Sequence, residues 1–239
     1  LIKNIIYIKI YILMQVSLVK NSFYFTYIFL ITTGTICFIE ALRNPDPKIR
    51  HIMNLETCIS VVAGYFYAIF VDKINKNEKP EESEESKNNN QKNKQDNEDK
   101  EAEKLKLQEI NDTRYTDWAI STPLMLLVLC LVLGLENKKT VNFWIFMLIL
   151  LFNYLMLGSG YLGELKKLPK TLANIIGFVF FFALYGTIWK IYMTSKKTMP
   201  SIIIFSLFVG LWALYGVFYQ TDTLTKIFGY NILDLTSKA

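Results

Sequence analysis

Apolar residues fall along this chain in blocks of about 20, separated by short polar joints, and that pattern sets its architecture. At a rise of about 1.5 Å per residue, such a block crosses a hydrocarbon layer of ~30 Å as a helix. The pattern predicts seven spans: Phe23 to Leu42, Ile52 to Val71, Thr113 to Leu133, Val141 to Leu162, Leu172 to Tyr192, Pro200 to Tyr219, and one from Ile227 that is cut at Ala239. The Asn44-Pro45-Asp46-Pro47 turn stops the first span, and Pro200 suits the first turn of the sixth. The fold class is therefore an all-α membrane protein, a seven-transmembrane-helix bundle with its last helix truncated. Residues 1–22 read as an N-terminal segment, in which Met14 is the candidate start and residues 1–13 resemble translated AT-rich non-coding sequence.

Charge is distributed unevenly. The chain is 52% hydrophobic and 15% aromatic, yet close to half of its acidic and basic residues lie between Asp72 and Glu109. Residues 73–109 hold few apolar groups and are predicted to be a disordered loop between the second and third spans. The net charge of +5 sits largely in short loops, so membrane orientation explains it and nucleic acid is not needed. Arg43, Lys48, Arg50, Lys138, Lys139, Lys196 and Lys197 outnumber Lys166, Lys167, Lys170 and Lys226 on the opposite side, which places the N-terminus outside. Cys37, Cys58 and Cys130 lie in apolar blocks and read as small core residues. With His51 as the sole histidine, no metal site is assigned.

Ionisable residues inside the spans carry the chemistry. Arg114, Asp117, Ser121 and Met125 recur at three, four and four residues, one face of a helix, with Trp118 and Thr122 beside it. A guanidinium and a carboxylate in an apolar span persist only when they face the bundle and find partners. A simple Arg114–Asp117 ion pair stapling the bundle would satisfy that requirement. The last span changes the balance, because Asp234 and Lys238 also stand four apart on one face. A lysine at that depth is tolerated as a neutral amine or as a Schiff base beside a carboxylate. Asp222 and Lys226 repeat the spacing, but among Gln220, Thr221, Thr223 and Thr225 they read as loop.

These residues resemble the microbial (type 1) rhodopsins. The run from Arg114 to Met125 is similar to the R-Y-x-D-W-x-x-T-T-P-L run of bacteriorhodopsin, with Ser121 replacing the first threonine. Met156 to Gly160 resembles M-x-G-T-G, and Trp212 to Tyr219 resembles W-x-x-Y-P-x-x-W with Gly216 at the proline. Asp234 and Lys238 resemble the D-x-x-x-K pair. The resemblance implies that all-trans retinal forms a Schiff base with Lys238, with Asp117 as counterion and proton acceptor and Asp234 as second counterion. It further implies that Arg114 lies beneath them and that Trp118, Thr122, Met125, Met156, Gly160, Trp212 and Tyr215 wall the pigment. Each of those aromatics taken alone would read as core packing.

The departures narrow the function. Proton-pumping relatives carry a carboxylate where this chain has Val128, the outer glutamate pair has no match, and Asn153 replaces an aspartate. Asp117 argues against a chloride pump. The Asn-Ile-Leu-Asp-Leu segment and AT-biased composition resemble giant-virus (phycodnavirus-type) rhodopsins, of which one group comprises light-gated cation channels. Glu40, Asn54, Glu56, Ser60 and Asn231 are candidates to line a hydrated path; the blander alternative has Glu40, Asn54 and Glu56 snorkelling at helix ends. The leading expectation is a light-gated cation channel, followed by a light-driven outward proton pump and then a sensor signalling through a partner. The chain is read as a non-enzyme. Its expected partners are the lipid bilayer, retinal and monovalent cations or protons, with a homo-oligomer left open. Met125 sits where apolar residues in proteobacterial relatives go with green absorption, so the resemblance implies green absorption, shifting red when Asp117 takes up a proton.

Overall fold

A computed structural model describes the backbone of residues 2–76, 92–194 and 198–239, and the side chains of 17–75, 109–194 and 198–239. The helices are α1 (Ile2–Arg43), α2 (Pro47–Lys76), α3 (Lys92–Glu136), α4 (Phe143–Glu164), α5 (Lys170–Ile188), α6 (Met199–Tyr219) and α7 (Thr223–Lys238). Among the described residues there is no strand. Each helix packs on its sequence neighbour and α1 packs on α7, which closes a ring; α3 also touches α6, and α2 touches α7.

Local chemistry sets the helix ends. Asn142 accepts from the backbone N–H groups of Trp144 and Ile145, so α4 starts at Phe143 rather than at Val141. Thr198 caps α6 through Ser201, and Asp222 caps α7 through Thr225. That last cap brings Thr223 to Lys226 into α7, four residues earlier than predicted, and makes Lys226 helical rather than loop. The left-handed backbone of Lys138 and Lys166 ends α3 and α4. The fifth helix closes with π-helix over Trp189–Met193.

Part of the predicted loop is helical instead, and so is the N-terminal segment from Ile2. The first helix begins at Ile2 and the third at Lys92, so residues 92–109 depart from the disordered loop predicted for 73–109. That stretch contains neither proline nor glycine and is rich in Lys and Glu, both good helix formers. Residues 77–91 of the predicted loop lie outside the described residues.

Within α3, Pro123 lacks the N–H that would reach Ala119; the Tyr154 hydroxyl of α4 donates to that carbonyl instead, at 3.2 Å. The helix therefore passes through Pro123 while keeping its buried stripe in register.

Among the described residues, six helices are long and apolar enough to cross a membrane; α7, with 16 residues, is shorter than these. Only 17% of the apolar window of α4, and the same share of α6, is buried inside the protein, so lipid must cover the rest. The interior divides into an apolar cluster around Met125, Leu129, Tyr185 and Trp212 and a smaller one around Phe23, Tyr67, Phe70 and Ile227. Cys130 is buried as predicted, whereas Cys37 is half-buried and Cys58 is exposed on the outer face of α2.

Candidate functional site

The two apolar clusters enclose a polar belt. Four ionisable residues meet there, Arg114 and Asp117 from α3 and Asp234 and Lys238 from α7, each no more than 3% exposed. Two cations and two anions cancel, as burial at this depth demands. Lys238 Nζ lies 2.7 Å from Asp117 Oδ2 and 3.4 Å from Asp234 Oδ1. Arg114 does not pair with Asp117, as the simple staple required; it donates to Asp234 Oδ2 at 2.8 Å and to Asn231 Oδ1 at 2.7 Å. The rings of Phe23, Tyr67, Phe70 and Tyr230 surround its guanidinium, Phe70 nearest at 5.0 Å.

The two carboxylates differ sharply in their support. Asp234 Oδ1 accepts from Trp118 Nε1 at 3.1 Å and from the Tyr215 hydroxyl at 2.8 Å. Its Oδ2 accepts from Arg114 and from the Tyr67 hydroxyl, both at 2.8 Å. Asp117 has Lys238 on Oδ2, while among the described residues its Oδ1 has no donor and Ser121 Oγ, one turn on, has no partner. An anion that receives four hydrogen bonds holds its charge, and one supported by a single cation loses its charge when that cation gives up a proton.

Beside this belt lies a cavity of about 740 Å3 of atom-free space, its mouth included, bounded by α3 to α7. All eight residues predicted to hold the pigment line it: Trp118, Thr122, Met125, Met156, Gly160, Trp212, Tyr215 and Lys238. Lys226 is not among them. Thr122 is fixed by Asn153, whose Nδ2 donates to its hydroxyl at 2.8 Å. Gly160 and Gly216 keep the walls open, since a Cβ would stand 2.8 Å from the Tyr115 hydroxyl at one and 2.5 Å from Phe178 at the other.

The residues proposed for an ion path divide into two groups. Asn231 is buried in the belt; its Nδ2 donates to Ser22 Oγ at 2.8 Å and its carbonyl accepts from Thr26 at 3.1 Å. Ser60 is buried and donates to the carbonyl of Lys238 at 3.1 Å. Glu56 is half-buried one turn from Ser60 on α2. The structure does not bring Glu40 and Asn54 to that line. Asn54 is exposed, and Glu40 pairs at the surface with Arg43 at 3.2 Å, one turn from the end of α1 where water or headgroups can solvate it.

Sequence reasoning missed Tyr67, Tyr230, Ser22 and Thr26 in the belt, and Phe178 and Phe181 in the cavity. Spacing could have found some of them. Ser60 and Tyr67 stand two turns apart on α2, and Tyr230 precedes Asp234 by four residues on α7. The two phenylalanines lie in a run of similar residues, GFVFFFALY, which carries no sign of which ring turns inward.

A cavity with apolar walls, an amine at its edge and paired carboxylates behind that amine suits an elongated apolar aldehyde. Comparison with known proteins agrees. The family described as bacteriorhodopsin-like protein matches residues 18–239. The crystal structure of the viral rhodopsin OLPVRII is 43% identical, with 92% of each chain covered and a TM-score of 0.76. Xanthorhodopsin, described as a light-driven ion pump with dual chromophore, shares the fold at 21% identity and a TM-score of 0.67, over 94% of this chain and 88% of its own. Opsin-1 of Neurospora crassa is 26% identical over 143 residues, which are 52% of this chain and 45% of that protein, so the match spans less than half of the relative. The chain belongs to the bacteriorhodopsin-like family, as a multi-pass membrane protein of the microbial rhodopsin fold, and membership implies a retinal chromophore.

Proposed function

We propose that this protein is a light-gated cation channel, with all-trans retinal joined to Lys238 and the N-terminus facing out. Retinal supplies light absorption and a change of shape and charge at the lysine nitrogen. The remaining work belongs to the chain. Trp118, Met125, Met156, Trp212 and Tyr215 bind and orient the pigment, and the apolar walls exclude water from it. Lys238 holds the proton at rest; on activation it passes to Asp117 Oδ2 across the 2.7 Å contact that carries this reading. Asp234 stays anionic on its four donors and keeps Arg114 in place until the neighbouring charge disappears.

The channel mode draws support from where polar groups continue beyond the belt. On α3 they stop, because Val128 is buried among Leu126, Leu129 and Cys130 and offers no carboxylate to return a proton. On α1, α2 and α7 they continue through Ser22, Thr26, Asn231, Ser60 and Glu56. At rest this line is tight: a Cβ on Gly34 of α1 would sit 3.0 Å from that of Ser60. Opening therefore requires α1 and α2 to part. Photocurrents swept across voltage test the mode, since a channel current reverses sign with the ion gradient.

A second reading is favoured by the surface positions of Glu40 and Asn54, which shorten the polar line on α1 and α2. Under it, the same proton transfer drives outward pumping with slow reprotonation. A current that stays outward at every voltage would select it.

A further inference from the structure

A second buried ion pair stands apart from the retinal site. Lys226 Nζ donates to both carboxylate oxygens of Glu164, at 2.8 Å each, and Asn111 Nδ2 donates to Oε2 at 3.2 Å. The two side chains are only 5% and 10% exposed. Glu164 is the last residue of α4, Lys226 lies in the first turn of α7, and Asn111 comes from α3, so the cluster joins three helices. Neither the absorption of light nor the proton step at Asp117 uses it.

Its placement suggests a role. On α7, Lys226, Tyr230, Asp234 and Lys238 follow one another at four-residue intervals, one continuous stripe. On α3, Asn111, Arg114, Asp117 and Ser121 form the facing stripe. Arg114 bridges the two, donating to Asp234 with the Tyr230 ring 5.6 Å away. The result is a polar ladder of roughly 18 Å, from twelve residues of helical rise, that starts at Lys238 and ends on Glu164. Beyond Thr122, α3 turns apolar, so along α3 the ladder has one polar end. Around that end stand Tyr115 from α3, Tyr219 from α6, Tyr230 from α7 and Lys170 from α5, with Asp222 at the cap of α7. The Lys170 ammonium lies 5.6 Å from the Tyr219 ring.

We propose that the Glu164–Lys226 pair is the gate of this ladder, controlling how fast protons or cations pass between the charge cluster and the membrane face at that end. The proposal deepens the functional reading above and rests on Asp117 being the group that titrates beside Lys238. Separating the pair costs Coulomb attraction in a water-poor setting, which makes access slow while the pair is closed.

The test is a stopped-flow acid jump on the full chain reconstituted with retinal, following the red shift that marks proton arrival at Asp117. Glu164→Gln alone strands a buried ammonium and risks misfolding, so the deciding variant is the double change Glu164→Gln with Lys226→Met, which removes both charges. Expected is a band maximum within about 5 nm of the parent, because the pair lies roughly 18 Å down the ladder from Lys238, and a shift at least fivefold faster. Exchanging the charges, Glu164→Lys with Lys226→Glu, restores the parent rate within twofold. Equal rates in the parent and the double variant would overturn the gate. Absence of any acid shift in the parent would instead overturn the role of Asp117 and, with it, the functional reading.

Discussion

Asp117 and Lys238 meet through a single contact of 2.7 Å between Oδ2 and Nζ, and the other oxygen of Asp117 has no donor among the described residues. A carboxylate held by one cation alone is poised to accept that cation's proton, whereas Asp234, with four hydrogen-bond donors, is not. Asp117→Asn should therefore shift the absorption band to the red and reduce light-driven current at least tenfold. The same substitution at Asp234 should lower the yield of folded pigment more than it alters the proton step. Absorption spectra and photocurrents of the two variants, side by side, check this.

Among the described residues, Lys238 is the one lysine lining the cavity. Lys238→Ala should leave the reconstituted protein colourless, and Lys226→Met combined with Glu164→Gln should not. Retention of a visible band in the alanine variant would refute the assignment.

Arg114 is fully buried and its charge is matched by Asp234 at 2.8 Å. Arg114→Gln leaves that anion uncompensated, which typically costs about 3–5 kcal/mol. The expected outcome is a lower midpoint of thermal bleaching in detergent, partly recovered when Asp234→Asn is added. No recovery in the double variant would show that packing, not charge, sets the loss.

At Gly216 an added methyl meets the Phe178 ring, with two ring carbons within 2.6 Å of the new Cβ. Gly216→Ala should push that ring into the cavity and cost about 1–3 kcal/mol through overpacking. Slower pigment formation on adding retinal, relieved by Phe178→Leu, is the measurement.

Asp222 caps α7, and hydrogen bonds from the Thr225 backbone hold its carboxyl below the usual carboxylate range. A depressed value in the folded state means that the cap contributes stability above the unfolded carboxylate's range and loses it as pH falls through the folded value. Asp222→Ala should lower thermal stability by about 1 kcal/mol at neutral pH. The gap between parent and variant should close in strong acid, as melting curves at several pH values would show.

Much of the molecule was legible in one dimension. Apolar blocks of membrane length announced the spans because the bilayer core offers the backbone no hydrogen-bond partner outside a helix. The spacings Arg114–Asp117–Ser121 and Asp234–Lys238 announced the two functional faces because helical periodicity is a property of local sequence. Which partner each charge takes was not legible. Arg114 chose Asp234 over its helix neighbour Asp117, a choice made where α3 packs against α7. Likewise, the spacing of Lys226 gives no sign of its partner, Glu164, which α4 brings against it. Glu40 and Asn54 look like path residues until α1 and α2 turn them outward. The physical reason is the same throughout: periodicity states which residues share a face, but only the rotation of each helix in the closed ring determines what that face meets.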